Sequence, residues 1–314
     1  MSGDGRYWDN DAVAAGLRAA RTRWRAARSV HAEHGTSGFP SRYELGKIMD
    51  ALCGALFPLR LGPSFVRLDN EDAFVAETLH TALSRLYGQI RLDLRYAMND
   101  DAAADRRAEE VIGAFASALP ALRGQLDHDV EAAYTGDPAA RSVDEVLLCY
   151  PGMLAIIHHR LAHRLYELGA LLVARIVAEI ANSKAGIDIH PGAQIGGSFF
   201  IDHGSGVVIG ETAVIGERVR LYQAVTLGAR SFPIGGDGAL EKGRARHPIL
   251  EDDVVVYAGA TLLGRITIGR GSTIGGNVWL TESVPPGSIV RQARLDQVVH
   301  HEFLLPQQPD GNGT

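Results

Sequence analysis

The sequence predicts an α+β protein with two domains, an α-helical domain followed by a parallel β-helix of hexapeptide repeats. Apolar residues recur at helical spacing over 41–184, whereas over 185–290 they recur at every sixth position. A length of 314 residues is enough for two domains of ordinary size. We expect residues 1–40, which are Arg-rich and weakly patterned, to form a weakly structured arm, and 291–314 to form a C-terminal tail.

Helical spacing and punctuating residues divide the first domain into segments. Asn70 is of a type that caps helix N-termini. Pro120 is expected to separate two helices, because proline lacks a backbone donor and clashes within a helix. Gly169 is expected to end another helix. On this basis helices are predicted over 70–98, 106–118, 121–134, 153–168 and 170–182.

The second domain is defined by aliphatic residues spaced six apart. In a hexapeptide β-helix three such hexads form one triangular coil, and each aliphatic side chain points inward and stacks on the coil above. The alternative, a β-sandwich, would show this spacing only by accident. The positions are Ile189, Ile195, Ile201, Ile209, Ile215, Leu221, Leu227, Leu250, Val256, Leu262, Ile268, Ile274 and Leu280.

The repeat breaks register twice. Ile201 and Ile209 are eight residues apart, so two extra residues lie in the segment Asp202–Gly206. Between Leu227 and Leu250 a long loop, over about 229–246, is predicted to leave the prism. A regular array departs from its pattern where something other than stacking is required, and loops on a rigid scaffold often carry chemistry.

The histidines of the repeat region, His190, His203 and His247, lie at these breaks or at the start of the solenoid. A histidine with a carboxylate partner, here Asp188 or Asp202, is the usual general base near neutral pH. The alternative for each is a histidine on an exposed corner. The three histidines could instead bind zinc, but zinc sites of this kind use two histidines close together in one coil. The spacings between the histidines here are 13 and 44 residues, so no metal is predicted.

Composition restricts the class of protein. The formal net charge of −6 does not suggest a nucleic-acid-binding protein. The two cysteines, Cys53 and Cys149, match no metal-ligand spacing and fit a reducing compartment. The polar N-terminus does not resemble a signal peptide, and no apolar run is long enough to cross a membrane. The sequence therefore predicts a cytoplasmic protein.

Several motifs together resemble those of the serine acetyltransferases, with the longer bacterial members as the nearest type. The motifs are Asp188-Ile-His-Pro, Ile201-Asp-His-Gly-Ser-Gly, Val225-Thr-Leu-Gly and Arg246-His-Pro, in that order. The resemblance implies a left-handed β-helix and a homotrimer, with active sites between neighbouring solenoids. Such trimers often pair through their helical domains. The implied reaction transfers acetyl from acetyl-CoA to L-serine, the first step of cysteine biosynthesis.

The resemblance also implies roles for individual residues. His203 would be the general base and Asp188 the residue that orients it. Asp137 and Asp202 would hold the serine ammonium group, while a cationic fork would hold its carboxylate. Residues implied for that fork are Arg246 and His247.

For the acyl donor, the resemblance implies acetyl-CoA as a co-substrate and no tightly bound cofactor. The pantetheine arm would lie near Gly228, Ala229 and Ala258, with Arg265 as a phosphate partner. Members that dock into O-acetylserine sulfhydrylase end in isoleucine, whereas this chain ends in Thr314, so that complex is not expected. The alternatives are a transferase that acylates a sugar or another amine, and an inactive scaffold.

Overall fold

The computed structural model describes residues 8–27, 38–98, 100–231, 240 and 243–293. The predicted C-terminal tail from residue 294 onward, with the chain-terminal residue, lies outside these residues. The helices are α1 (Asn10–Ala27), α2 (Arg42–Leu56), α3 (Pro58–Leu61), α4 (Glu71–Ala97), α5 (Asp101–Gly136), α6 (Val143–Cys149), α7 (Pro151–Glu167) and α8 (Leu171–Ala185). None of the helices in the described part of the chain is both long enough and apolar enough to cross a membrane.

The helical half packs around one apolar core. Leu45 on α2, Ile90 on α4, Phe115 on α5 and Leu161 on α7 are completely buried. Side chains at three helix starts accept hydrogen bonds from the first turn and so satisfy backbone donors that have no partner within the helix. The capping residues are Ser41, Asp100 and Ser142.

The expectation of a weakly structured arm over 1–40 is wrong for residues 10–27, which form α1. Asp9 caps this helix by accepting hydrogen bonds from the N–H groups of Asp11 and Ala12. Every described side chain of α1 is exposed. Its alanines and arginines favour a helix by local propensity alone, which explains why no pattern of buried positions indicated it.

The predicted break at Pro120 is also wrong, because this proline lies inside α5, a single helix of 36 residues. Pro120 itself is exposed, and Ala116, whose carbonyl loses its helical partner, is half-buried. Phe115, Leu119 and Leu126 are buried on either side of the proline. Their packing holds both segments on one axis, which outweighs the local penalty of proline.

The second half forms three parallel sheets from strands of two or three residues. Face A contains β1 (Asp188–Ile189), β4 (Val208–Ile209), β7 (Thr226–Gly228), β10 (Thr261–Leu263) and β13 (Trp279–Leu280). Face B contains β2 (Gln194–Ile195), β5 (Val214–Ile215), β8 (Ile249–Leu250) and β11 (Thr267–Ile268). Face C contains β3 (Phe200–Ile201), β6 (Arg220–Leu221), β9 (Val255–Val256), β12 (Thr273–Ile274) and β14 (Ile289–Val290).

The strand register confirms the predicted hexad stacking. On face A, Ile189 pairs with Ile209, which pairs with Leu227, and Leu262 continues the row to Leu280. Faces B and C show equivalent rows. This arrangement, in which each coil visits all three faces, is typical of a left-handed β-helix. The turns between faces are called corners AB, BC and CA below.

The first register break lies at corner CA of the first coil. His203 and Gly204 there adopt left-handed backbone conformations, with φ of 57° and 88°. The next such residue, Gly206 with φ of 78°, occupies the position that is left-handed at every corner CA. Its equivalents are Ala224, Gly259 and Asn277. The two extra residues predicted from the spacing therefore add a second turn to this corner alone.

A buried ion pair joins the helical half to the solenoid. Arg160 on α7 donates two hydrogen bonds of 3.0 Å to the carboxylate of Asp129 on α5. The same guanidinium donates to the carbonyl of Ile195, and Asp129 accepts from the N–H of Phe199. Both side chains are at least 96% buried. This network fixes corner BC of the first coil against α5 and α7.

Candidate active site

His203 projects from the added turn of corner CA, and its side chain is 72% exposed. Its Nε2 atom lies 3.9 Å from Oδ1 of Asp202, which is mostly buried. A non-glycine residue in a left-handed conformation is strained, and such strain is often found at functional sites. The turn thus presents an imidazole to solvent with a carboxylate beside it, as a general base requires.

Asp137 follows the C-terminus of α5 and faces the same corner. The hydroxyl of Tyr150 donates to its Oδ2 atom at 2.5 Å, and the N–H of Ala139 donates to Oδ1 at 2.8 Å. These hydrogen bonds, with the positive charge of Arg220 nearby, lower the pKa of the Asp137 carboxyl. The hydrogen bond to Asp137 raises the pKa of the Tyr150 hydroxyl, and the charge of Asp202 adds to this effect. Asp137 is therefore an ionised carboxylate at neutral pH.

Three of the predicted site residues, Asp137, Asp202 and His203, thus converge on corner CA. The hydroxyl of Tyr150 donates to Asp137 and also feels the charge of Asp202, whose carboxylate lies beside His203. The guanidinium of Arg220 lies 5.2 Å from the ring of Phe200 at the same place. Such a site suits a small cation next to a group that is to lose a proton.

Asp188 lies on face A and not in the turn that carries His203. It begins β1 on face A, in register with Val208, and its carboxylate raises the pKa of His190 against the larger lowering effect of burial. Among the described residues no hydrogen bond joins Asp188 to His203, because the added turn carries the imidazole outward. The carboxylate within reach of His203 is that of Asp202.

Arg246 and His247 lie at corner AB of the second and third coils. Thr212 holds them there, because its hydroxyl oxygen accepts from the N–H groups of Arg246 and His247 at 2.9 Å and 3.2 Å. The guanidinium of Arg246 donates to Oε2 of Glu211 at 2.8 Å. The end of the long loop is therefore fixed, with Nη2 of Arg246 paired to Glu211 and Nη1 donating to the carbonyl of Arg244 at 3.3 Å.

The imidazole of His247 is neutral at physiological pH. Burial and the adjacent charge of Arg246 lower its pKa to about 4. Its Nδ1 atom accepts a hydrogen bond of 3.0 Å from the N–H of Thr212. The proton of the neutral ring is therefore on Nε2, which makes His247 a hydrogen-bond donor. A Cβ at Gly210 would collide with this ring, so glycine leaves the space that it occupies.

Tyr166 from the helical half extends the network at corner AB. The ring of Tyr166 meets His190 edge to face at 5.8 Å, and its hydroxyl donates to Glu211 at 3.3 Å. Burial opposes ionisation of Glu211, but the hydrogen bond and charge of Arg246 and the charge of His190 give a net lowering of its pKa. His190 itself has its pKa lowered by burial and then by Arg175.

Sequence reasoning did not select several of these residues. Glu211 and Thr212 come two and three residues after the hexad residue Ile209, and their place between His190 and Arg246 in the stack was a usable signal. Tyr150, Tyr166 and Arg220 gave none, because only the packing of the helices on the solenoid brings the two tyrosines to the corners.

The positions predicted to contact CoA divide between two corners. Gly228 and Ala229 lie where the chain leaves face A toward corner AB, whereas Ala258 lies at corner CA of the third coil. Arg265 donates through Nη1 to the carbonyls of Thr212 and His247, at 2.5 Å and 3.0 Å. In the described ranges no group of three or more His, Cys, Asp or Glu side chains is arranged to hold a metal.

The chain is similar to known proteins over most of its length. It is 59% identical over 263 residues to "Serine acetyltransferase, plasmid" from Synechococcus elongatus, which covers 82% of each chain. The crystal structure of Entamoeba histolytica serine acetyltransferase isoform 3 in complex with cysteine superposes with a TM-score of 0.70 and 39% identity, covering 81% of this chain and 84% of that one.

A second crystal structure, Neisseria gonorrhoeae serine acetyltransferase in complex with serine, has a TM-score of 0.52 and 27% identity and covers 82% of this chain and 96% of its own. No protein-family model matches the chain. High identity over four fifths of both chains nevertheless settles the relationship, and the chain belongs to the serine acetyltransferase family.

Proposed function

We propose that the protein transfers the acetyl group of acetyl-CoA to the hydroxyl of L-serine, forming O-acetyl-L-serine and CoA. The observation that carries this proposal is the exposed His203 beside the carboxylates of Asp137 and Asp202. An amino acid acceptor requires anionic partners for its ammonium group close to the base that deprotonates its hydroxyl. The relative solved with serine bound supports the same acceptor.

The acceptor's carboxylate would be bound by the residues at corner AB. Arg246 supplies a guanidinium fork, and the neutral ring of His247 supplies a donor from Nε2. Within one chain these residues lie at a different corner from His203. The proposed site is therefore completed when corner AB of one solenoid faces corner CA of another, which supports a homotrimer. Pairing of trimers through the helical half is part of the same proposal.

The reaction would proceed by direct transfer. His203 takes the proton of the serine hydroxyl as the oxygen attacks the thioester carbonyl, and a tetrahedral oxyanion forms. Collapse of this intermediate breaks the carbon–sulfur bond, and the thiolate of CoA leaves. The imidazolium of His203 returns its proton to that sulfur. No acyl-enzyme is proposed, since neither Cys53 nor Cys149 belongs to the motifs that form these corners.

Asp188 is proposed to act on this step from face A. Its negative charge would stabilise the protonated ring of His203 without direct contact. It would orient His203 only if the added turn folds toward face A when the substrates bind. The acyl donor would contact Gly228, Ala229 and Ala258. Arg265 would meet a CoA phosphate through the donors that its Nη1 atom does not use. A cytoplasmic location would agree with the two free cysteines.

L-cysteine is proposed to bind in the same place as L-serine. The two amino acids share the ammonium and carboxylate groups and differ only in sulfur for oxygen. The Entamoeba relative was solved with cysteine bound. Competitive inhibition by cysteine against serine would support this proposal.

An acceptor screen tests the proposed function. Release of free thiol from acetyl-CoA should be rapid with L-serine and slow with homoserine, threonine and amino sugars. A sugar needs neither Asp137 nor Arg246, so preference for a sugar would overturn the proposal.

Replacing the base is the second test. His203→Ala should lower kcat about 1,000-fold while the solenoid stays folded. His80→Ala, on the exposed face of α4, is the matched control and should keep the wild-type rate. A His203→Ala enzyme with near wild-type turnover would show that the base has been misassigned.

A further inference from the structure

Helix α7 contacts corner AB of the solenoid through two side chains that lie about one turn apart. The Nδ1 atom of His163 donates to the carbonyl of Pro191 in the first coil at 2.7 Å. The hydroxyl of Tyr166 donates to Oε1 of Glu211 in the second coil at 3.3 Å. Residues three apart lie on the same face of a helix, so one face of α7 meets two coils at the corner that carries Arg246.

The ring of Tyr166 is held in place, which defines the position of its hydroxyl. The ring is half-buried against the apolar core and meets His190 edge to face at 5.8 Å. His190 is fixed in turn, because its Nδ1 atom accepts a hydrogen bond of 3.0 Å from the N–H of Gly192. Burial and the charge of Glu211 raise the pKa of Tyr166. The hydroxyl therefore keeps its proton at neutral pH and acts as a donor.

Glu211 receives one donor on each carboxylate oxygen. Tyr166 donates to Oε1, and Nη2 of Arg246 donates to Oε2 at 2.8 Å. The side chain also lies against the first coil, where a Cβ on Gly192 would be 3.2 Å from Cγ of Glu211. Two donors and this packing restrict the carboxylate to one orientation. The Tyr166 contact is long for an O–H···O bond, so its loss should weaken binding at this corner and not abolish it.

The orientation of Arg246 depends on this carboxylate. Within the described part of the chain its guanidinium donates to Glu211 and to the carbonyl of Arg244, and its side chain is 26% exposed. A guanidinium has five N–H donors, so donors remain for an incoming carboxylate. A fork that is already oriented loses less side-chain freedom when it binds, which strengthens binding.

We propose that Tyr166 is a positioning residue for the carboxylate of the acceptor: its hydroxyl orients Glu211, which holds the guanidinium of Arg246 ready for the substrate. A helix of the N-terminal half thereby sets how tightly the solenoid binds an acceptor that has a carboxylate. The inference rests on the proposed function for the identity of this acceptor as an amino acid. It gives a role to a residue that lies outside every motif of the sequence.

Kinetics with L-serine are the first test. Tyr166→Phe should raise the KM for serine about fivefold and leave kcat and the KM for acetyl-CoA within about twofold, because the fork binds the carboxylate equally in the ground state and the transition state. The phenylalanine keeps the ring that packs on His190. Tyr43→Phe, the same change at an exposed tyrosine on α2, is the matched control and should keep the wild-type constants. A wild-type KM for serine in Tyr166→Phe would overturn the inference.

An acceptor without a carboxylate separates positioning from a general effect on the fold. L-Serinamide has the ammonium group and the hydroxyl of serine but an uncharged amide in place of the carboxylate. With serinamide the kcat/KM of Tyr166→Phe should equal that of the wild type, whereas with serine it should be about fivefold lower. An equal loss with both acceptors would show that the tyrosine acts through the fold and would overturn the inference.

A double variant tests whether Tyr166 acts through Glu211. Glu211→Ala should raise the KM for serine more than Tyr166→Phe does, because Arg246 then loses its partner. Adding Tyr166→Phe to Glu211→Ala should change the KM by less than about twofold, since no carboxylate is left to orient. Losses that multiply in the double variant would show that the hydroxyl acts by another route, against the inference.

Failure of this inference differs from failure of the proposed function. A wild-type enzyme that does not acetylate L-serine would overturn the proposed function, whatever the variants do. Efficient transfer to L-serine by the wild type, with the same KM for serine in Tyr166→Phe, would overturn the role of Tyr166 alone.

Discussion

At the scale of single residues, the shape of the reacting corner depends on Gly204. This residue has a φ of 88°, and a Cβ on it would lie 2.5 Å from Cδ1 of Ile187 and 2.9 Å from Cγ2 of Ile201. Both isoleucines are buried at the first coil. Both the left-handed backbone conformation and the packing of the core therefore oppose a side chain at position 204. A change of backbone conformation or of packing that made room for it would move the adjacent His203.

Gly204→Ala should cost about 2 kcal/mol more stability than Gly271→Ala, because both add a left-handed alanine but only the first adds a collision with the core. Gly271 has a φ of 68° and open space around its would-be Cβ. Urea unfolding of the two variants measures the difference. Equal losses would mean that the first coil relaxes freely around a methyl group.

His158 on α7 makes stability depend on pH. It is 98% buried, its Nδ1 atom bonds with the carbonyl of Leu154, and its Nε2 atom has no hydrogen-bond partner. Burial lowers its pKa from 6.5 to about 4. Between those pH values the unfolded chain binds the proton and the folded chain does not. Lowering the pH through this window therefore removes stability, by about 3 kcal/mol in total.

His158→Leu should flatten this dependence by up to about 1.4 kcal/mol per pH unit, because the variant has no proton to gain on unfolding. The free energy of unfolding at pH 5 and pH 7 is the measurement, with His80→Leu on α4 as the exposed control. A pH dependence as steep as that of the wild type would show that other groups, such as the fully buried His159, carry the whole effect.

The sequence located the residues that gather at corner CA, but not the helical residues that surround them. His203 and Asp202 stood out because two extra residues interrupt a repeat, which is a local signal. Tyr150 could not be predicted in the same way. It reaches Asp137 across 13 residues. Its place near the solenoid depends on the tertiary packing of α7, which meets Ile201 at Gly152.

At the scale of elements, periodicity predicted the strands and failed at the helix breaks. Each hexad residue has one environment repeated from coil to coil, so a single sequence suffices to locate it. The continuity of α5 through Pro120 depends instead on how Phe115 and Leu126 pack against other helices. Local propensity carries no information about that contact.

The joint between the two halves depends on the ion pair of Arg160 and Asp129. Arg160→Leu should destabilise the protein by about 3–5 kcal/mol, because it leaves a buried carboxylate without its partner. Burial already raises the pKa of Asp129 against the effect of Arg160. Denaturant unfolding measures this loss.

A double variant separates pairing from packing. Asp129→Leu combined with Arg160→Leu should recover part of the stability, since no charge is then left buried. The recovery will be incomplete, because the N–H of Phe199 and the carbonyl of Ile195 also lose their partners. If the double variant loses the sum of both single losses, the pair contributes through shape and not through charge.

At the scale of the whole molecule, one chain presents two half-sites. The base and the carboxylates lie at corner CA, after β3, whereas Arg246 and His247 lie at corner AB, before β8. These two corners are different edges of the triangular solenoid and point in different directions. In the described part of the chain the proposed base and the proposed carboxylate fork therefore lie at different corners, and the proposed reaction would use a neighbouring copy.

Mixed assemblies test this requirement. His203→Ala and Arg246→Ala should each be nearly inactive alone, because each removes one half of every site. Co-expressed in equal amounts and assembled at random, the two chains should recover about a quarter of the wild-type activity, since one neighbouring pair in four joins an intact His203 to an intact Arg246. Wild type co-expressed with a double variant that carries both changes is the control for random mixing. It should also give about a quarter of the wild-type activity, since a site is intact only between two wild-type neighbours. If each site instead lay within one chain, every site in the first mixture would lack a residue, and no activity would return.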